Sequence, residues 1–324
     1  MTTGCQQRLD ESTTDTGVLF GYVLMTAAIL IGVFILFGNI LTIIAIVTTQ
    51  GMNHQANFYI LSLAVADSIV GVSMLQMSFR YTEFSKKAFD DNKYLCLSGY
   101  VLAIISCWQS LLTLAIMAFD RLLCVERPFL YLRLFTGRLT KAMLAGSWVL
   151  ALAYGTFPLY FNTFNPDIGC VAFKVLPDNI NRFVFGIPIF VFAIITIACY
   201  ARITCIARKQ RRRIAAEVIS VQGQGPAKEI SQNNSNQQKS TGLFLTMNII
   251  FIACWTPFLI SCLLSGYVDF TGKVAASVEA LAMANSGMNF IIYALKNEQF
   301  ARAYRRLLRH CCCQVERPRP FRSS

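Results

Sequence analysis

Seven apolar segments, each long enough to cross a bilayer, constrain this chain more than any other feature. They cover residues 18–47, 58–79, 94–119, 142–161, 183–201, 242–264 and 274–295. A hydrocarbon core about 30 Å thick is spanned by roughly 20 residues of helix. Within the seven segments the only carboxylates are Asp67 and Glu279, and there is no Lys or Arg. A single such segment could be the buried core helix of a soluble domain. Seven of them in 324 residues, of which only 14% are charged, leave too little polar chain to cover a soluble core, since soluble domains carry about 25% charged residues. The pattern predicts an all-α membrane protein, a bundle of seven transmembrane helices.

An odd number of spans puts the two ends of the chain on opposite sides. With the C-terminal end inside, the inner segments 48–57, 120–141, 202–241 and 296–324 hold 21 Lys and Arg, and the outer segments hold 8. Basic residues concentrate in cytoplasmic loops, so this orientation is the expected one, although Lys86 and Lys87 run against it. The reading divides the chain into an extracellular N-terminus (1–17), the seven-helix unit (18–295) and a cytoplasmic helix and tail (296–324). The formal charge of +12 is then a topology signal that faces anionic lipid and partner proteins; nucleic acid is not an expected partner. The first apolar segment is too long for a signal peptide and lacks a small-residue cleavage site after it. Residues 223–238, rich in Gln, Asn, Ser and Gly, read as a flexible linker.

The twelve cysteines sort by side. Cys5, Cys96 and Cys170 face the oxidising exterior, where disulfides persist, and a Cys96–Cys170 bridge would pin the second outer loop over the bundle. Cys107, Cys199, Cys254 and Cys262 lie within spans and read as packing residues, while Cys124 and Cys205 sit at inner helix ends. Cys311, Cys312 and Cys313 follow the basic amphipathic segment 297–310, a juxtamembrane arrangement that suggests S-palmitoylation. A zinc site is the competing reading, but three adjacent thiols are poorly spaced as ligands. No structural or catalytic transition metal is expected.

Short motifs then recur in order, most on a span of their own. They are Gly38-Asn39, the run Leu61 to Asp67, Asp120-Arg121-Leu122, Trp148, Cys254-Trp255-Thr256-Pro257, Asn289-Phe290-Ile291-Ile292-Tyr293, and Asn297 to Phe300 opening a short eighth helix. With them the chain resembles the rhodopsin-like (class A) G-protein-coupled receptors from end to end. The resemblance implies a receptor that carries an extracellular ligand's signal to a heterotrimeric G protein by outward movement of span six, with arrestin and membrane lipid as further partners.

The residues can bear the implied roles. Cys96 and Arg121 are separated by about 37 Å of helix, so one lies at each membrane face. Arg121 beside Asp120 keeps its charge and can exchange partners, as a G-protein-facing switch must; the resemblance adds Tyr200, Asn289 and Tyr293 to it. Phe251 and Trp255 share one face of span six, and Pro257 breaks the backbone ladder there, which suits a pivot below a ligand cavity. Asp67 is a carboxylate near mid-membrane, functional by default. With Asn39, Ser110, Asn285 and Asn289 it offers the oxygens of an allosteric sodium site; the competing reading is a water network around a protonated Asp67. No other cofactor is expected.

The departures matter too. Phe290 stands where the family has proline, so a kink in span seven is in question. Leu122 removes a tyrosine hydroxyl. Tyr200 follows Pro188 by 12 residues where the family spacing is shorter by about a turn, and Tyr200 is taken as the family tyrosine. Between Asn233 and Thr241 there is no acid to hold Arg121 across to span six, which predicts agonist-independent signalling that an acid at Gln237 would lower. Ala103 occupies the span-three position where amine receptors carry Asp, and Met283 the position of the visual pigments' Lys, so the resemblance argues against a monoamine and against retinal. Ala103, Trp255, Glu279 and Met283 are the pocket candidates, with Glu279 bound either to a ligand cation or to an outer-loop Lys. The end of span five and the run Asn285 to Tyr293 are similar to the adenosine, melanocortin and lipid-receptor branch. A small molecule, lipid, nucleoside-like compound or peptide remains open as the ligand. A transporter would show internal symmetry and paired broken helices, and an enzyme a nucleophile or metal set; neither is visible.

Overall fold

In a computed structural model, the backbone is described for residues 3–49, 52, 55–170, 172–220, 227–264, 267–268 and 272–315, with the side chains of 3–18, 83, 172–173, 184, 210–241, 272–273, 275–276 and 310–315 excepted. The elements in chain order are α1 (Thr3–Thr48), α2 (Gln55–Ser78), a 3-10 turn (Phe79–Tyr81), α3 (Glu83–Asp91), α4 (Lys93–Glu126), α5 (Pro128–Leu134) and α6 (Gly137–Gly155). They continue with α7 (Phe157–Tyr160), α8 (Ala172–Val175), a π-helix (Ile180–Gly186), α9 (Ile187–Ser220), α10 (Ala227–Leu264), α11 (Gly272–Lys296) and α12 (Glu298–Val315). Seven stretches among the described residues are long and apolar enough to cross a membrane: Leu19–Thr48, Gln55–Tyr81, Lys93–Glu126, Gly137–Tyr160, Ile180–Lys209, Gly242–Leu264 and Ser277–Lys296. Each overlaps an apolar segment of the sequence.

The distribution of polarity is inverted relative to a soluble protein. Asn39, Asp67, Ser73, Gln109 and Thr113 are completely buried, while Leu30, Val33, Phe37, Ile194 and Ile197 lie exposed on the outside. Hydrocarbon outside and hydrogen-bonding groups inside are what a bilayer solvent selects. α4 is the central pillar, packed on α2, α6, α9 and α10, while α1 packs on α2 and α11, and α12 closes against α1 and α11.

Local chemistry sets the ends and bends. Asn92 caps α4, its side-chain oxygen accepting the N–H groups of Tyr94 and Leu95 at 3.1 Å each, which satisfies two of the donors a helix start leaves free. Pro188 is the second residue of α9, directly after the π-helix. The irregular turns therefore sit outward of Pro188, where its missing donor costs little, and Tyr200 keeps its place at the inner end. α11 is helical throughout 272–296, so Phe290 brings no break. Its ring instead fills the groove against α1, edge-on to Phe34 with centroids 5.1 Å apart. A Cβ on Gly38 would lie 1.9 Å from that ring; the glycine of α1 and the phenylalanine of α11 are complementary.

One expectation is corrected. The stretch 223–238 is not wholly linker: α10 begins at Ala227 and runs unbroken into the membrane, because adding a turn to an existing helix is far easier than nucleating one. Residues 221–226 lie outside the described part, as does Cys5 by its side chain.

Candidate functional site

At the outer face, Cys96 of α4 and Cys170 are disulfide-bonded, as the sequence reading expected. A second tether was not foreseen. Asp90 at the end of α3 accepts the backbone N–H of Cys170 at 2.7 Å. The adjacent Gly169 has φ of +80°, a backbone conformation that glycine adopts without strain, and a Cβ there would lie 2.7 Å from the same carboxylate. Phe89 packs with Cys96, Leu97 and Cys170 beneath them, so α3 and the second outer loop form one cover.

Below that cover is a cavity lined by α4 (Tyr100, Ala103, Cys107, Trp108), α10 (Trp255, Phe258, Cys262) and α11 (Glu279, Ala282, Met283), with Asn181 and Phe185 of the π-helix. About 80 Å³ of it admits water-sized molecules. All four pocket candidates, Ala103, Trp255, Glu279 and Met283, line it. Glu279 pairs with an arginine and not with an outer-loop Lys: its Oε2 lies 2.6 Å from Nη2 of Arg80. The 3-10 turn after α2 carries that guanidinium, whose Nη1 donates to the Tyr100 hydroxyl at 2.5 Å and Nη2 to that of Tyr81 at 3.3 Å. The guanidinium carbon also lies 5.8 Å from the Tyr100 ring centre and 5.2 Å from that of Tyr81. Arg80 is held on several sides, while Glu279 answers to Arg80.

At the cavity floor Trp255 stacks on Phe251, centroids 5.6 Å apart, and meets Phe258 edge-on. Pro257 lies inside α10, and the Ser261 hydroxyl donates to its carbonyl at 3.0 Å. The pair foreseen four residues apart thus shares one face beside a proline.

Deeper still is Asp67. Nδ2 of Asn289 donates to its Oδ2 at 2.7 Å, and Ser286, which the sequence reading missed, interacts with the same carboxylate. Asn39 donates instead to the backbone carbonyls of Ile35 and Ser286, stitching α1 to α11. Asn285 and Ser110 are buried. The oxygens Asn39 Oδ1, Asp67 Oδ1 and Asn285 Oδ1, and the Tyr293 hydroxyl, meet no hydrogen-bond partner among the described residues. Buried oxygens left over in this way suit a small hard cation or water.

At the inner end Nε of Arg121 donates to Asp120 Oδ2 at 2.7 Å. The other carboxylate oxygen accepts from Tyr59 at 3.1 Å, Gln55 at 3.3 Å and Tyr131 at 3.4 Å. Burial, and next the Asp120 charge, pushes the Tyr131 phenol up to about 12, favouring its protonated, donating form. Across the bundle Arg121 meets an aromatic ring, that of Phe244 on α10, 5.7 Å from the guanidinium carbon. The side chains of 233–241, where an acid was sought, lie outside the described residues. Tyr200 accepts from Asn248 of α10 at 3.3 Å, and Tyr293 packs on Phe300 of α12. Two further polar links were not foreseen. Gln109 donates within 2.9–3.1 Å of the hydroxyls of Ser62, Ser147 and Thr113, joining α2, α4 and α6, and Thr42 bonds Tyr304 of α12 at 2.8 Å. Cys311, Cys312 and Cys313 fall on the α12 backbone, but their side chains lie outside the described residues.

Comparison with known proteins fits this geometry. The family described as 7 transmembrane receptor (rhodopsin family) matches residues 38–293. Trace amine-associated receptor 8b of Mus musculus is 26% identical, over 84% of this chain and 81% of its own length. The probable G-protein coupled receptor No18 of Amphibalanus amphitrite is 25% identical, over 94% and 92%. Trace amine-associated receptor 6 of Rattus norvegicus is 25% identical, over 82% and 79%. The adenosine, melanocortin and lipid-receptor branch finds no support in these three.

Proposed function

This chain belongs to the rhodopsin family of seven-transmembrane receptors, a multi-pass G-protein-coupled receptor and not an enzyme, and from that premise we propose that it reads its extracellular ligand in the cavity above Trp255 and signals by moving the inner end of α10 away from Arg121. One observation carries the reading. α10 lines the cavity at Trp255, Phe258 and Cys262 and covers Arg121 with Phe244 at its inner end. Phe244 and Trp255 are about 16 Å apart along the helix, with Pro257 just above as the pivot. A ligand that shifts Trp255 therefore bears on the contact that hides the arginine.

The receptor sits in the plasma membrane with residues 1–17 outside and 296–324 inside, as the basic residues suggest. The oxygens around Asp67 would hold a sodium ion in the resting state, Asp67 supplying its charge and Asn39, Ser110, Asn285 and Asn289 completing the shell. Palmitoyl chains on Cys311, Cys312 and Cys313 would hold α12 to lipid, and arrestin would take the same inner face after activation. The amine in the names of two relatives does not carry over easily, because Ala103 offers no acid and Glu279 is already paired. The test is nucleotide exchange on a co-expressed G protein. Wild type should drive it and Arg121→Ala should fall to the membrane background; equal rates would contradict the role given to Arg121.

A further inference from the structure

We propose that the cavity selects an uncharged, compact, apolar ligand bearing a hydrogen-bond acceptor, and that the Arg80–Glu279 pair is the element that turns ammonium compounds away. The inference deepens the receptor reading and rests on it for the cavity's purpose, though not for its chemistry.

Charge comes first. Among the described residues Glu279 is the only carboxylate in the lining, and Arg80 takes it up at 2.6 Å, with side-chain exposures of 9% and 12%. The described lining therefore presents no net charge. An ammonium ligand would have to pull Glu279 from Arg80 and leave a buried guanidinium short of its counter-charge, and an uncompensated buried charge is strongly disfavoured. An anionic ligand would have to displace Glu279 in turn. A neutral ligand pays neither penalty.

Hydrogen bonding comes second. Trp108 and Trp255 both line the cavity, and neither indole N–H meets an acceptor among the described residues, although both nitrogens are buried. Trp108 is 3% exposed, its ring fixed between Tyr154 at 4.5 Å and Phe192 at 6.2 Å. Indole nitrogen only donates. Two donors without acceptors, in walls that besides Tyr100, Asn181 and Glu279 are built of apolar side chains such as Ala103, Ile104, Phe185, Ile189 and Ala282, call for a carbonyl, ether or heteroaromatic nitrogen on an apolar frame. Size comes third. At roughly 10–15 Å³ of such space per water, the cavity holds about half a dozen water-sized units, the scale of a single-ring compound.

The experiment uses purified full-length receptor in lipid nanodiscs and three probes of equal size: acetophenone, isopropylbenzene and 1-phenylethylamine, the last an ammonium ion at neutral pH. Thermal stabilisation is titrated for each. Acetophenone should bind best, isopropylbenzene about three- to tenfold more weakly, as the loss of one hydrogen bond implies, and the amine weakest. Trp108→Phe keeps the ring and should shrink the advantage of acetophenone over isopropylbenzene, the Trp255 donor remaining. Arg80→Gln should bring the amine up about tenfold or more by freeing Glu279 for it. Arg80→Gln/Glu279→Gln, which leaves no buried charge, should bind the ketone and refuse the amine, and it stands in if the single variant does not fold. Ala103→Phe, which fills the cavity, should abolish all three. Preference of wild type for the amine, equal binding of ketone and hydrocarbon unaffected by Trp108→Phe, or no binding of any probe would each overturn the proposal. Amine binding that drives nucleotide exchange would sink this inference and leave the receptor reading intact. Ketone binding with no exchange under any ligand would do the reverse.

Discussion

Two buried ion pairs among the described residues are built on opposite plans. At the outer end Arg80 and Glu279 come from the 3-10 turn after α2 and from α11, 199 residues apart in sequence, and their bond ties two parts of the bundle together. At the inner end Asp120 and Arg121 are neighbours on α4. What crosses the bundle there is a set of weaker contacts: Tyr59, Gln55 and Tyr131 to the carboxylate and the Phe244 ring to the guanidinium. A pair that spans helices resists separation, whereas a local pair with weak cross-contacts lets one helix leave without stranding a charge. The outer end is thus suited to define a pocket and the inner end to switch.

Breaking the outer pair should have the largest effect. Arg80→Ala leaves Glu279 buried without its counter-charge, and such losses cost about 3–5 kcal/mol. The thermal midpoint in nanodiscs should fall well below that of wild type, and adding Glu279→Gln should restore most of it. No recovery in the double variant would mean that Arg80 acts through its packing on Tyr81 and Tyr100.

The next effect tests the helix seam that carries neither pair. Gly38→Ala drives a methyl group into the Phe290 ring, and overpacking of this kind costs about 1–3 kcal/mol. Combining it with Phe290→Leu should return surface expression toward wild type. An innocuous Gly38→Ala would show that α1 and α11 are more loosely joined than their fit implies.

The contrast between the two ends also marks what could be read in advance. The spans, the disulfide and the order of motifs follow from long-range hydropathy and fixed spacings, which need no knowledge of tertiary contacts. Glu279 was legible as a paired intramembrane acid but its partner was not. Arg80 sits just past an apolar run and counts as an outer-loop residue until a 3-10 turn is known to place it against α11. Phe290 read as a lost proline; its fit to Gly38 is a property of two helices together. Likewise Tyr59 and Gln55 gave no sign of serving Asp120, because tyrosine and glutamine on an apolar helix fit many roles. Composition misjudged 227–238, where polar residues continue a helix that α10 had already begun.

At the inner end the expected effects are smaller. A cation on an aromatic face contributes about 0.5–2 kcal/mol, so Phe244→Ala should raise ligand-free second-messenger output severalfold at matched surface expression, and Gln237→Glu should lower it by giving Arg121 an acid partner. A fall in Phe244→Ala would reverse the role assigned to the ring. Smallest of all, Asp67→Asn should remove any effect of sodium on ligand affinity, since it deletes the one charge in that cluster. A wild-type receptor indifferent to sodium would favour water around Asp67.

The central claim is that α10 moves as the link between cavity and arginine. It is tested most directly by the distance between spin labels at Ile249→Cys, on the exposed side of α10's inner half, and Gln299→Cys, exposed on α12, with other accessible thiols replaced. In nanodiscs the account predicts one principal distance at rest and a second, longer one when nucleotide-free G protein is added, the longer fraction lost in Arg121→Ala. An unchanged distance in the presence of bound G protein would contradict it.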